Sequence, residues 1–116
     1  MSSQGFGENS CPLARLLRAL GGKWALPVVY VLAQAEGPMR FSELHRALAP
    51  ITESELARQL REFERMGLVT RTVFAEVPPR VEYAPSALCA SMREPLNGLA
   101  RWGEAHSAEL AAMAAE

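Results

Sequence analysis

Along residues 52–67 the apolar positions Leu56, Leu60 and Phe63 recur at three- and four-residue spacing. At about 100° per residue they form one narrow stripe, and Ser54, Arg58, Arg61 and Arg65 fall on the opposite side. Thr52 with Glu55 makes a capping box, Ile51 and Leu56 sit where a hydrophobic staple closes, and Gly67 is a C-terminal stop. This is a helix with one face for a core and another carrying guanidinium groups. Upstream, RFSELHRAL reads as a short helix entered at Ser42, with Phe41, Leu44 and Leu48 apolar and Ala49-Pro50 ending it. Downstream the residues become β-type in LVTRTVF and VEY, joined by the proline-stiffened Glu76-Val77-Pro78-Pro79-Arg80.

The flanks are helical as well. Pro12 fits a first helical position with Cys11 as N-cap, and Leu13, Leu16, Leu17 and Leu20 give an apolar face that Gly21-Gly22 ends. Residues 23–35 are apolar on nearly every side, the pattern of a buried helix, and Pro27 requires either a start near Leu26 or a bend. Pro85-Ser86 opens a last helical region in which Leu88, Met92, Leu96, Leu99 and Trp102 recur, with Pro95 kinking or dividing it. The alanine-rich end from residue 108 has little to bury.

These elements predict a mainly α fold with a small β-hairpin (α+β). A single domain spans residues 11–116, with a helix-turn-helix over about 40–67 and a hairpin wing over about 68–84. Residues 1–10 are polar and read as a flexible tail rather than a signal peptide. No apolar run reaches the roughly 20 residues that span a bilayer, so a soluble, cytoplasmic protein is expected. Helix, tight turn, helix and hairpin is the arrangement of a winged helix, whose second helix enters the DNA major groove while the hairpin meets the neighbouring backbone or minor groove.

Charge complicates that reading. Across residues 40–83 Arg40, Arg46, Arg58, Arg61, Arg65, Arg71 and Arg80 are cancelled by Glu43, Glu53, Glu55, Glu62, Glu64, Glu76 and Glu82, and the whole chain carries a net charge of −1. The usual basic excess of nucleic-acid proteins is absent, and what is left is pattern. Arg58 and Arg61 are the candidate base readers, Arg65 a phosphate contact, and Ser54 and Gln59 weaker polar candidates on the same helix. Arg80 is the wing candidate, and Arg40 and Ser42 lie before the motif's first helix. The alternative is that these arginines are solvent ion pairs, Arg58 with Glu62, Arg61 with Glu64, Glu62 with Arg65, and Arg80 with Glu76 or Glu82. Other chemistry is sparse: His45 and His106 are far apart, the two cysteines make no metal-ligand set, and no phosphate loop or nucleophile elbow occurs. Neither enzyme, metal nor cofactor is expected. Cys11, at a helix start with Arg15 one turn on, is the one candidate reactive thiol, set against a reduced structural cysteine.

Cys11-Pro12, Gly21-Gly22-Lys23-Trp24, Arg40-Phe41-Ser42-Glu43-Leu44, Leu60-Arg61-Glu62-Phe63-Glu64 with Gly67-Leu68-Val69, Glu76-Val77-Pro78-Pro79-Arg80-Val81-Glu82-Tyr83 and Ala100-Arg101-Trp102 together resemble the HxlR-type winged helix-turn-helix regulators. The resemblance runs from about residue 11 to 103. It implies a homodimer built by the terminal helices 11–20 and 86–114, a double-stranded DNA operator as partner, and regulation of transcription, with repression by promoter occlusion the simpler mode. It also implies an oxidant or small electrophile as the signal at Cys11. The chain departs from the family pattern at Glu53, Ser54, Glu55 and Ala57, where a lysine and other polar groups are common. Two further readings stay open. One is a winged-helix protein-interaction module that has lost DNA binding. The other is a regulator binding a small aromatic or aldehyde effector near Trp24, Tyr30 and Trp102, rings that equally serve as plain core.

Overall fold

The computed structural model describes residues 11–114, so the expected tail at residues 1–10 lies outside the described residues. Seven helices and three strands follow in the order α1 (Pro12–Ala19), α2 (Ala25–Gln34), β1 (Met39–Arg40), α3 (Phe41–Ala47), α4 (Glu53–Arg65), β2 (Val69–Phe74), β3 (Arg80–Pro85), α5 (Ala87–Ala90), α6 (Arg93–Ala105) and α7 (Ser107–Ala114). The fold is mainly helical with a small antiparallel sheet, as the residue pattern predicts.

α4 forms where its signals place it. The Thr52 hydroxyl accepts from the Glu55 N–H at 3.1 Å and the Glu55 carboxylate accepts from the Thr52 N–H at 2.9 Å. That backbone N–H, and after it the Thr52 hydroxyl, holds the Glu55 carboxyl below its ordinary value, with Lys23 adding to the effect. At the other end Gly67 adopts φ 78°, and the N–H groups of Leu68 and Gly67 reach back to the carbonyls of Phe63 and Glu64. This is a Schellman closure, which needs a residue without Cβ strain at the left-handed position. Ile51, Leu56, Leu60, Leu68 and Phe63 are all buried, so both ends of the helix are tied into the core that its stripe enters.

The rest of that core comes from α2 (Val28, Val29, Leu32), α3 (Leu44), β2 (Val69) and Cys89 of α5. Pro27 lies in the first turn of α2, where no backbone N–H has an intrahelical partner, so the helix starts at Ala25 and no hydrogen bond is lost. The sequence pattern missed one strand: the two residues of β1 pair with β3 in the register Met39↔Tyr83 and Arg40↔Glu82, giving the order β1-β3-β2. A two-residue strand is too short to show a period.

Two boundaries differ from expectation. Ser42 is not the cap of α3; Arg40 holds that position, and its N–H donates to the Glu43 carboxylate at 2.8 Å. The C-terminal region is three helices, and Pro95 neither kinks nor divides one. It stands in the first turn of α6, after the break at Ser91-Met92, while the second break comes at His106. Burial raises the Cys89 thiol above its ordinary range.

α1, α6 and α7 bury no residue fully. Leu13 of α1 is 61% exposed, Leu99 and Trp102 of α6 60% and 54%, and Met113 of α7 69%. One side of α6 still meets its own chain, through Leu96 against the core and Asn97 accepting from Gln34 at 2.8 Å, while the side bearing Leu99 and Trp102 is left exposed. A molecule of 59 × 32 × 24 Å is correspondingly elongated.

Thr52→Ala is expected to cost about 1 kcal/mol in urea unfolding, the usual value of an N-cap. Glu55 has a depressed folded-state pKa, so its contribution is present above the unfolded carboxyl's value and is lost as pH falls through the folded one. The acid limb of stability below about pH 4.5 should therefore be shallower in Glu55→Gln; an unchanged limb in that variant would show the box contributes nothing. Phe63→Ala is expected to cost about 3–5 kcal/mol.

Candidate nucleic-acid interface

The candidate site is built from α4, the sheet edge beside it, and the wing between β2 and β3. Because Leu56, Leu60 and Phe63 point into the core, the residues half a turn away must face solvent. Arg58, Arg61, Arg65 and Ser54 are exposed, and Gln59 is half-buried. The outward ridge expected from the periodicity therefore exists.

Its arginines divide into two groups. Arg65 is paired with Glu62 one turn back, which raises the pKa of its guanidinium. Among the described residues Arg58 and Arg61 make no ion pair with a carboxylate of their own chain. Of the three helix pairs conceivable from spacing, only Glu62 with Arg65 forms. Glu62 lies on the flank of the helix, and it borders a cleft of about 290 Å³ with Glu55, Arg58, Gln59, Lys23 and Trp24. The Lys23 ammonium sits 5.4 Å from the centre of the Trp24 ring. On the other flank Arg61 lines a groove of about 270 Å³ with Ala57, Glu64, Arg71 and Tyr83.

Lys23 and Arg71 were not among the residues expected to matter, and each stands beside one of the two unpaired helix arginines. Strand alternation puts Arg71 on the same face as Val69 and so gave no sign of its exposure, which comes from β2 leaving the core after its first residue. Val69 is buried and Arg71 exposed opposite Tyr83, which brings it to the same groove as Arg61. Lys23 sits in the turn that connects α1 to α2, and nothing local to that turn shows that α4 passes beside it.

In the wing, β2 and β3 pair from Val69↔Pro85 to Phe74↔Arg80. Arg80 is 2.9 Å from Glu76 through Nη1 and 3.1 Å from Glu82 through Nε, and its guanidinium carbon lies 4.1 Å above the centre of the Phe74 ring. The Nε contact is a charge contact without hydrogen-bond alignment, since Nε–H has no acceptor in line. Arg80 is thus in the paired arrangement, with both of the glutamates that its sequence neighbourhood offered. Arg40 and Ser42, both exposed, border a cleft of about 440 Å³ with Phe41 and the wing residues 76–81. The structure brings the start of α3 and the wing together, as the candidates Arg40, Ser42 and Arg80 require.

The other candidates are scattered. Cys11 is half-buried at the N-cap of α1 and makes no side-chain cap bond. The three rings considered for an effector do not share a cavity. Trp24 lines the cleft beside α4, Tyr30 lines a separate apolar recess with Leu26 and Leu99, and Trp102 stacks on His106 at 4.6 Å. Among the described residues no group of three or more His, Cys, Asp or Glu side chains could hold a metal, and no helix is long and apolar enough to cross a membrane.

Comparison with known proteins agrees with this geometry. The family described as HxlR-like helix-turn-helix matches residues 19–110. The HTH-type transcriptional regulator YkvN of Bacillus subtilis is 42% identical over 94 residues, covering 81% of this chain and 78% of that one. An HTH-type transcriptional regulator of Methanothermobacter thermautotrophicus is 40% identical over 100 residues, covering 86% and 75%. Among solved structures, the redox regulator HypR in its reduced form superposes with a TM-score of 0.77 at 33% identity, covering 88% of this chain and 99% of that one. A capped helix with outward arginines, a preceding helix in tight-turn contact and an adjoining β-hairpin, matched across most of the chain, identify this protein as a winged-helix transcriptional regulator belonging to the HxlR-like helix-turn-helix family.

Proposed function

We propose that the protein is a homodimeric repressor that inserts α4 of each copy into successive major grooves of a two-fold operator and lays the wing against the adjacent backbone or minor groove. The observation that carries this reading is the pair Arg58 and Arg61, exposed on a helix anchored at both ends and without a carboxylate partner among the described residues. A guanidinium in that condition can take guanine O6 and N7 or a phosphate without first breaking an intramolecular pair. Ser54 and Gln59 supply shorter polar contacts on the same helix, Arg65 reaches phosphate after exchanging Glu62, and Arg40 with Ser42 approaches the backbone from the start of α3. Lys23 and Arg71 add charge on either flank. Because the chain's net charge is −1, attraction to DNA rests on this local arrangement and weakens steeply with salt.

The dimer reading rests on the exposed apolar side of α1, α6 and α7. Leu13, Leu16, Leu17, Leu96 and Leu99 line an apolar groove of about 410 Å³ between α1 and α6. A contiguous surface of this kind on a small soluble domain marks an interface, and a second copy related by a two-fold axis would present the same helices in return. The operator half-sites would then lie about 34–36 Å apart, one turn of duplex. Cys11 is the N-cap of α1, so a change at its sulfur would act on the start of one of these helices. The similarity to the redox regulator HypR favours reading it as the sensor of an oxidant or electrophile, while Cys89, held in the core with a raised pKa, takes no part.

Arg58→Ala and Arg61→Ala should each weaken binding to the DNA upstream of the protein's own gene by about 1–3 kcal/mol per half-site, with relaxed base preference, in titrations at fixed salt. Unchanged affinity in both variants, or no salt-dependent binding by the wild type, would favour an interaction module in place of a DNA reader. Leu16→Asp combined with Leu99→Asp is expected to give a folded monomer in sedimentation and to lose tight operator binding. A Cys11→Ser protein that still releases DNA on treatment with peroxide or quinone would remove the thiol from the signal.

A further inference from the structure

The wing is usually the place where an arginine is sought for phosphate, but the surroundings of Arg80 do not suit that task. We infer that Arg80 is a positioning residue that locks the wing in the shape presented to DNA, and that it makes no phosphate contact itself. This rests on the DNA-binding reading above and refines the role of one residue within it.

Three contacts converge on the side chain. Glu76 lies in the loop, Glu82 on β3, and Phe74 at the end of β2, where it is the Cα partner of Arg80 across the last rung of the hairpin. One guanidinium therefore joins both strands and the loop. Its planar fork suits two carboxylates on different edges while its face rests on the ring, an arrangement that a lysine ammonium cannot copy. The side chain is only 27% exposed. Charge argues the same way. A phosphate would have to displace two existing partners of Arg80, whereas Arg40, which borders the same cleft opposite Glu82, offers a cation there. Arg58 and Arg61 form no ion pair among the described residues. Locking the loop also fixes the outward position of Val77, which is fully exposed at its tip.

Phosphate contact and positioning predict different responses. In Arg80→Ala the amides of residues 72–82 should exchange faster in the free protein, and affinity for a duplex spanning its own upstream DNA should fall about three- to tenfold from the cost of reordering the loop. The slope of log K against log salt should stay at the wild-type value. Arg80→Lys should fail to restore affinity, and the double variant E76Q/E82Q should bind more weakly although it removes two negative charges. The inference is overturned if Arg80→Ala flattens the slope by about 0.9 for each lost contact, if Arg80→Lys restores binding, if E76Q/E82Q tightens it, or if amide exchange in the wing is unchanged. Should the wild type show no salt-dependent DNA binding, the regulator reading fails, and the exchange measurement still decides whether Arg80 locks the hairpin.

Discussion

A helix that offers guanidinium groups to solvent along one side has to be gripped from the other, and the anchoring of α4 is the constraint that the remaining elements serve. Leu56, Leu60 and Phe63 enter a core shared with α2, α3 and β2. Packing alone fixes a helix about its axis but leaves its ends free to fray. Here Thr52 and Glu55 satisfy donors at the start, and Gly67 with Leu68 satisfies carbonyls at the finish. The angular position of Arg58 and Arg61 follows from these ties. The flanking elements then matter through what they bring alongside, Lys23 from the α1–α2 turn and Arg71 from β2.

Charge in this protein is organised by pairing more than by amount. The arginines and glutamates between residues 40 and 83 cancel in number, yet they are not mixed evenly in space. Arg65 and Arg80 are occupied by Glu62, Glu76 and Glu82, while Arg58 and Arg61 have no ion partner among the described residues. Since an exposed ion pair contributes little to stability, the pairs at the periphery are better understood as keeping long side chains in place. A zero sum over the motif is therefore compatible with a positively charged ridge, because the neutralising carboxylates sit on the flank of the helix and in the wing.

The sequence disclosed the periodic parts of this structure and was silent where tertiary contact decides. α4 carries its period, cap and stop within sixteen residues, so its limits could be read directly, and the hairpin announces itself by the change of period and the prolines. The α3 cap was misread because serine is a common capping residue, whereas here the Glu43 carboxylate serves the backbone of Arg40 from inside the helix. β1 exists only through its pairing with β3. The breaks at Ser91-Met92 and His106 have no glycine to mark them, and Pro95 drew attention away from the first. For the site, periodicity placed the outward arginines correctly but could not distinguish a paired one from an unpaired one, since Arg58 with Glu62 and Glu62 with Arg65 both have contact spacing and one carboxylate went to Arg65. The aromatic trio shows a related limit: Trp24, Tyr30 and Trp102 are alike in type, and their residue type alone could not show that they share no cavity within the chain.

The acidic first turn of α4 can be weighed against the duplex on the same geometry. Carboxylates at a helix N-terminus oppose the positive end of its dipole and favour the folded state, yet on a recognition helix they would also lie near phosphate. Glu55 is held in the capping box with its charge directed at the Thr52 N–H. Glu53 has no such engagement, but counting about 100° per residue from Leu56 puts it about 60° away on the side of Ala57 and Glu64, whereas Arg58 and Arg65 lie near 180°. It is therefore offset from the line of Arg58 and Arg65 toward the side of Ala57 and Glu64, which line the groove that also holds Arg61 and Arg71. The lysine common in the family at this point is not needed for attraction if the two cations already in that groove remain unpaired.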